Sequence, residues 1–101
     1  MNFIIVLTFD LNANSQDSSI YSGLNDGLAE IGLKKEYQST SGSNVELPDN
    51  TYLGIFSGKN SKEVCNRIRK KIKKVFSDNG AQGKFFVSVG NDFYASTVHI
   101  P

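Results

Sequence analysis

Two sets of residues carry most of the chemistry this sequence offers. The first is Asp10, the carboxylate that ends the apolar run "FIIVLTFDLN" from Phe3 to Asn12. A carboxylate there suits a divalent cation: Mg²⁺ takes a few carboxylate oxygens and keeps several waters, and a bound ion polarises a phosphodiester and acidifies its water. One carboxylate per chain is thin coordination, and a two-fold axis would double it. The plainer role is a strand-end carboxylate that accepts backbone N–H groups and caps the following loop. The second set is cationic. Arg67, Arg69, Lys70, Lys71, Lys73 and Lys74 fill nearly every position left free by Val64, Ile68, Ile72 and Val75. Helical spacing gathers Arg67, Lys70, Lys71 and Lys74 on one flank. Such a flank tracks a phosphate backbone through charge and counterion release, or meets an acidic protein surface. A solvated face whose late lysines suit the helix dipole is the ordinary alternative.

The other reactive types offer less. Cys65 is the one cysteine, which excludes an internal disulfide, and with His99 as the one histidine it excludes a Cys/His zinc cluster. Cys65 reads as a small buried or half-buried filler, and a cytoplasmic, reducing compartment is expected. His99 sits near the chain end, a poor place for a general acid or base that must be held within hydrogen-bond reach. Tyr52, Phe56, Phe85 and Phe86 are of the types that stack bases on RNA-binding sheets, but the ribonucleoprotein signature is missing and core packing is expected. Asn12 to Ser19 lacks the glycine spacing of a phosphate loop and suits turns and helix caps.

At 101 residues, 39% apolar and 21% charged, the chain reads as a single domain, 1–101, with one hydrophobic core. Its net charge is only +1, yet the charge is uneven. Lys59 to Lys84 holds nine Lys or Arg against two acids, a local +7, while the remainder carries −6. The leading apolar run is far short of the roughly 20 residues that span a bilayer, so it reads as a strand rather than an anchor, and no membrane partner is expected.

The elements that must position these residues follow from periodicity. Asn2 to Asp10 is rich in β-branched and aromatic types and suits a central strand buried on both faces. From about Asp17, Ile20, Leu24, Leu28 and Ile31 form one helical face, with Gly32 where a left-handed cap belongs. Leu33 to Thr40 reads as a second, more exposed strand, and Ser41 to Asn50 as a mobile polar loop. Thr51 to Gly58 is the third strand. Asn60 or Ser61 caps a second helix, with Glu63 answering Asn60, and Asp78, Asn79 and Gly80 stop it. Lys84 to Gly90 is the fourth strand, and 91–101 reads as a fifth edge strand or ordered tail. The order strand, helix, strand, strand, helix, strand is that of an α+β, ferredoxin-like βαββαβ sandwich, an antiparallel sheet with both helices on one face. The surplus strand suits pairing with a second copy in a homodimer.

A first strand ending "TFD", then "GLKKEYQST", "TYLGIFSG", a second helix and "FFVSVG" together resemble the small CRISPR-associated adaptation endoribonucleases. The VapD and GhoS toxin and antitoxin proteins share that fold. The likeness runs from Asn2 to about Gly90. It implies a homodimer that acts on RNA or DNA, with the strand-ending aspartate near the dimer axis, where two copies hold Mg²⁺ or Mn²⁺; the matching residue is Asp10. A metal-dependent endoribonuclease is one expectation. A non-catalytic antitoxin or phage-encoded inhibitor, presenting the basic helix and edge strand to a protein, is the other.

Overall fold

The structure, a computed structural model, describes residues 1–38, 42, 44–91 and 100. Its centre is β1, Asn2–Leu11, flanked antiparallel on one side by β4, Thr51–Ser57, and on the other by β5, Gly83–Gly90. The period of two along β1 sends Phe3, Ile5, Leu7, Phe9 and Leu11 to the same side, where all are buried. The expectation of burial on both faces is corrected: Ile4 and Val6 are only half-buried, and Thr8 and Asp10 are exposed. Both helices cover the first side, and among the described residues the second face of the sheet stays open.

Helix α1, Ser18–Glu30, starts at Asp17, whose carboxylate accepts the Ser19 backbone N–H at 2.7 Å. The Ser19 hydroxyl, then its backbone N–H, hold the Asp17 carboxyl below the usual carboxylate range. A lowered native value means this cap stabilises fully above the unfolded-state titration and is lost as pH falls through the native one. At the other end Gly32 sits at φ 102°, and Leu33 and Gly32 donate to the carbonyls of Leu28 and Ala29, a Schellman closure. Helix α2, Ser61–Asp78, ends the same way through Gly80 at φ 64°. At its start the Asn60 side chain accepts the Glu63 N–H at 2.9 Å. Glu63 reaches back to the Lys59 N–H at 3.3 Å, one residue before the partner that the capping-box pattern names. Replacing Asn60 with alanine is expected to cost about 1 kcal/mol, read as a lower thermal midpoint in a circular-dichroism melt.

The core joins Ile5, Leu7 and Phe9 of β1 to Leu24 and Leu28 of α1 and Val64, Ile68, Ile72 and Phe76 of α2. Phe76 meets Phe9 edge-on at 5.3 Å and Phe85 at 5.4 Å. Tyr52 is buried beside Phe9 and donates its hydroxyl to Asn25 Oδ1 at 3.1 Å, and burial pushes its pKa up. The expected core role of the aromatics therefore holds for Tyr52, Phe56 and Phe85, whereas Phe86 points to the open face and is exposed.

The second strand departs from expectation. Lys34 and Leu53 exchange backbone hydrogen bonds at 3.0 and 2.9 Å, which sets the chain on the outer edge of β4 for one residue pair. It then leaves as β2, Glu36–Gln38, to pair with β3, Asn44–Glu46. Part of the segment expected to be a mobile loop is thus a strand. Val45 stands opposite Tyr37, and the Leu47 N–H bonds the Lys35 carbonyl, so two apolar side chains and a backbone ladder hold a hairpin that the polar composition hides. With that edge bridge the spatial order β5-β1-β4-β2 is that of a ferredoxin-like α+β fold. The extra strand expected over 91–101 falls mostly on 92–99 and 101, outside the described residues, as does His99.

Candidate functional site

Asp10 occupies the last outward position of β1, directly opposite Lys84 of β5. Pairing and parity put Thr8, Asp10, Lys84 and Phe86 together on the open face, around a shallow depression of about 170 Å³. The Asp10 side chain is exposed, and among the described residues it forms no hydrogen bond or ion pair. The alternative role of a loop cap is not seen among the described residues, where other groups close that loop. Asn12 N–H donates to the Gln82 carbonyl at 2.8 Å, and the Gln16 carboxamide donates to the Leu11 carbonyl at 3.0 Å. Ser15, 2% exposed, accepts the Gln82 N–H on its hydroxyl at 2.9 Å. Sequence reading placed Ser15 only in a polar cluster; its pairing across 67 residues has no local signal.

Within one chain these groups do not fit Mg²⁺ or Mn²⁺. Asp10 is the lone carboxylate at its corner, its strand neighbour is the cationic Lys84, and no group of three or more His, Cys, Asp or Glu gathers anywhere among the described residues.

Helix α2 presents a separate surface. Val64, Ile68, Ile72 and Phe76 turn into the core, which leaves Arg67, Arg69, Lys70, Lys71, Lys73 and Lys74 exposed together with Lys62. The cations do not stand in equal surroundings. On the α1 side, Arg67 pairs with Glu63 at 3.6 Å and donates to the Ser57 carbonyl, while Lys74 pairs with Asp78 at 2.9 Å. Lys71 and Lys74 share the interhelical groove with Glu30 of α1. On the β5 side, Lys73 borders an open hollow of about 480 Å³ with Asn12, Ser77, Gln82 and Phe85, and no acid lines it. Arg69 lies one turn before Lys73 on that flank. No acid lies within ion-pairing distance of Arg69, Lys70, Lys71 or Lys73 among the described residues.

The two sequence-derived sets are not brought together. Asp10 lies on the open face of the sheet, opposite the side that the helices cover, and none of the α2 cations lines the depression around it. In sequence Lys62 and Gln82 carry no signal of their own, and Asn12 stands out only as the start of a polar cluster. Counting 100° per residue places Lys62 and Arg69 on the same flank as Lys73, so half of that signal is legible; the loop that brings Asn12 and Gln82 alongside is a tertiary arrangement. Cys65 is half-buried, as expected of a filler. No helix among the described residues is long and apolar enough to cross a membrane. No protein-family model matches this chain and no curated protein matches it, so a functional reading rests on the chain's own geometry.

Proposed function

We propose that this domain binds the phosphate backbone of RNA or DNA through the outer face of α2, as a homodimer joined by the open face of its sheet. The observation that carries the first half is the row of cations without acidic partners, Arg69, Lys70, Lys71 and Lys73, on a helix whose apolar side is fully used by the core. Four like charges within little more than one turn repel one another, and a polyanion relieves that repulsion while releasing its own counterions. The attraction is that of unpaired cations for phosphate charge, so recognition is mainly of backbone rather than of sequence.

The dimer half rests on the open face. Ile55 is 65% and Phe86 67% exposed, and the half-buried Ile4 and Val6 lie between them on the same face of the sheet. Exposed apolar area of this continuity marks a contact surface. A second copy suits it because the interior of the face is uncharged and its one corner holds an anion and a cation, Asp10 and Lys84, a combination that complements itself across a two-fold axis. An axis beside Asp10 also supplies the second carboxylate that a divalent ion requires. Endoribonuclease activity of the CRISPR-adaptation or toxin-antitoxin type therefore depends on that dimer.

Fluorescence anisotropy with labelled RNA and DNA oligonucleotides tests the binding half. The expected dissociation constant near physiological salt is on the order of 10⁻⁶ to 10⁻⁴ M, with log K falling by about 2 to 3 per decade of salt. Absence of binding, or binding indifferent to salt, refutes it. Incubation of mixed RNA with Mg²⁺ or Mn²⁺ tests the cleavage half: activity that survives Asp10→Ala removes Asp10 from any catalytic role.

A further inference from the structure

The two flanks of α2 differ in a way that narrows the ligand. On the β5 side, Lys62, Asn66, Arg69, Lys73 and Ser77 follow one another at spacings of four, three, four and four residues. These spacings stack them into one ridge on a helix. Every member carries a hydrogen-bond donor and is exposed. One turn of helix rises about 5–6 Å, comparable with the separation of successive phosphates along an extended strand. The ridge runs directly into the hollow where Lys73 meets Asn12, Gln82 and the half-buried ring of Phe85. Gln82 engages its carboxamide oxygen with Asn14 at 3.2 Å, which leaves its NH₂ donors facing solvent, and the Asn12 carboxamide makes no capping bond. A cation for a phosphate, an aromatic edge for a base and two carboxamides for its polar rim are the groups that receive one unpaired nucleotide.

The opposite flank lacks this character. Glu63, Asp78 and Glu30 stand among Arg67, Lys71 and Lys74, so a second row of phosphates there would meet carboxylates as well as cations. A duplex groove seated over α2 presents a phosphate strand to each flank, and only one flank is prepared for it.

Resting on the nucleic-acid reading above, we infer that the ligand of α2 is a single strand, its phosphates tracking the ridge from Lys62 to Lys73 and one nucleotide lodging in the hollow between Lys73, Phe85, Asn12 and Gln82. The shared chemistry is an unpaired polynucleotide, and the sugar distinguishes its two sources.

The test compares two double variants of equal charge, Arg69→Gln with Lys73→Gln and Arg67→Gln with Lys74→Gln, alongside the unmutated chain. Each is titrated by anisotropy against labelled oligo(U), oligo(dT) and a duplex DNA, each of about 12 nucleotides or base pairs, a length within the range such surfaces occupy. Circular-dichroism melts check that the unmutated chain and every variant fold. The unmutated chain is expected to bind either single strand at least about fivefold more tightly than the duplex, and the tighter of the two single strands names the sugar. Loss of Arg69 and Lys73 is expected to weaken single-strand binding about tenfold and to flatten the salt slope by about 1 to 2. Loss of Arg67 and Lys74 is expected to weaken it less than about threefold. A third pair, Asn12→Ala with Gln82→Ala, leaves the charge unchanged and is expected to cost about threefold on single strands alone. Equal losses from the two charge variants overturn the ridge, tighter duplex binding overturns the single-strand assignment, and no effect of the carboxamide pair overturns the hollow. If the unmutated chain binds none of the three probes, the nucleic-acid reading itself fails and this inference fails with it.

Discussion

Gly54→Ala is expected to be strongly destabilising for one added methyl group, costing about 3 kcal/mol, the upper end of what overpacking a filled site costs. Gly54 lies within β4 opposite Ile5 and is itself buried. A Cβ built there collides with the Gly32 carbonyl oxygen and comes within 2.8 Å of the Phe56 ring. Neither obstacle moves cheaply. Gly32 closes α1 at φ 102°, where its two cap hydrogen bonds fix the carbonyl's direction, and two residues later Lys34 is pinned to Leu53 by a pair of backbone bonds. The added methyl therefore pushes the end of α1 off the sheet and strains the one bridge that joins the β2 segment to β4. For a domain of this size about 3 kcal/mol lowers the thermal midpoint by roughly 12–24 °C. Gly80→Ala is the matched comparison. It introduces the same methyl at a φ of 64° with nothing within 4 Å, so only the left-handed backbone is penalised, by about 1–2 kcal/mol. Thermal or urea denaturation of the two variants measures the difference. Equal midpoints would mean that the α1–β2 turn yields, and that its approach to β4 does not hold the layers together.

The same turn shows where sequence reading stops. Both helices, their caps and the β1-β4-β5 strands are written locally, because a 3.6-residue stripe, a capping Asn or Asp and a terminal glycine act within one or two turns of chain. Which way β2 goes after Lys34 is decided by a competition. Leu33 to Thr40 has enough strand character to continue along β4, but Tyr37 gains Val45 as a cross-strand neighbour by turning away. That gain lies in a segment whose Ser, Gly and Asn content reads as loop. The one-sided burial of β1 is not legible for a related reason: a run of apolar residues is compatible with two covered faces or with one covered face and one apolar open face, and only the position of the helices separates these. At the candidate sites, the ion pairs Glu63–Arg67 and Lys74–Asp78 follow from i,i+4 spacing and are legible. The presence of Glu30 beside Lys71, and of Asn12 and Gln82 beside Lys73, depends on how layers pack and is not. Asp10 was found by its position at a strand end, but its face, opposite to the basic helix, required parity counted against the real core.

Phe86→Lys is expected to separate the proposed dimer into monomers without unfolding either. The ring is two-thirds exposed on the open face, 67%, so a lysine there removes little from the interior of one chain. In a face-to-face dimer the same ring is covered, and withdrawing a large apolar side chain from burial costs about 1.5–3 kcal/mol. Two-fold symmetry counts each substitution twice, giving at least about 3 kcal/mol, or more than a 100-fold rise in the dimer dissociation constant. Two ammonium groups brought toward one another across the axis add to that. Ile55→Lys on β4 acts on the same face and is expected to give the same result, whereas Arg69→Gln, on the far side of the helices, leaves association unchanged. Light scattering across a concentration series reads the outcome. An unmutated chain that stays monomeric at about 100 µM, or a Phe86→Lys chain that stays dimeric, removes the open face as the interface. The variant also isolates Asp10. In Phe86→Lys the carboxylate and its neighbour Lys84 remain in place, but a second Asp10 no longer approaches. Mg²⁺- or Mn²⁺-dependent RNA cleavage that needs the pair must then disappear, while binding of nucleic acid to α2 persists at the strength of a single copy. Cleavage that continues in monomers would show that whatever activity the protein has is assembled within one chain, away from the two-fold axis.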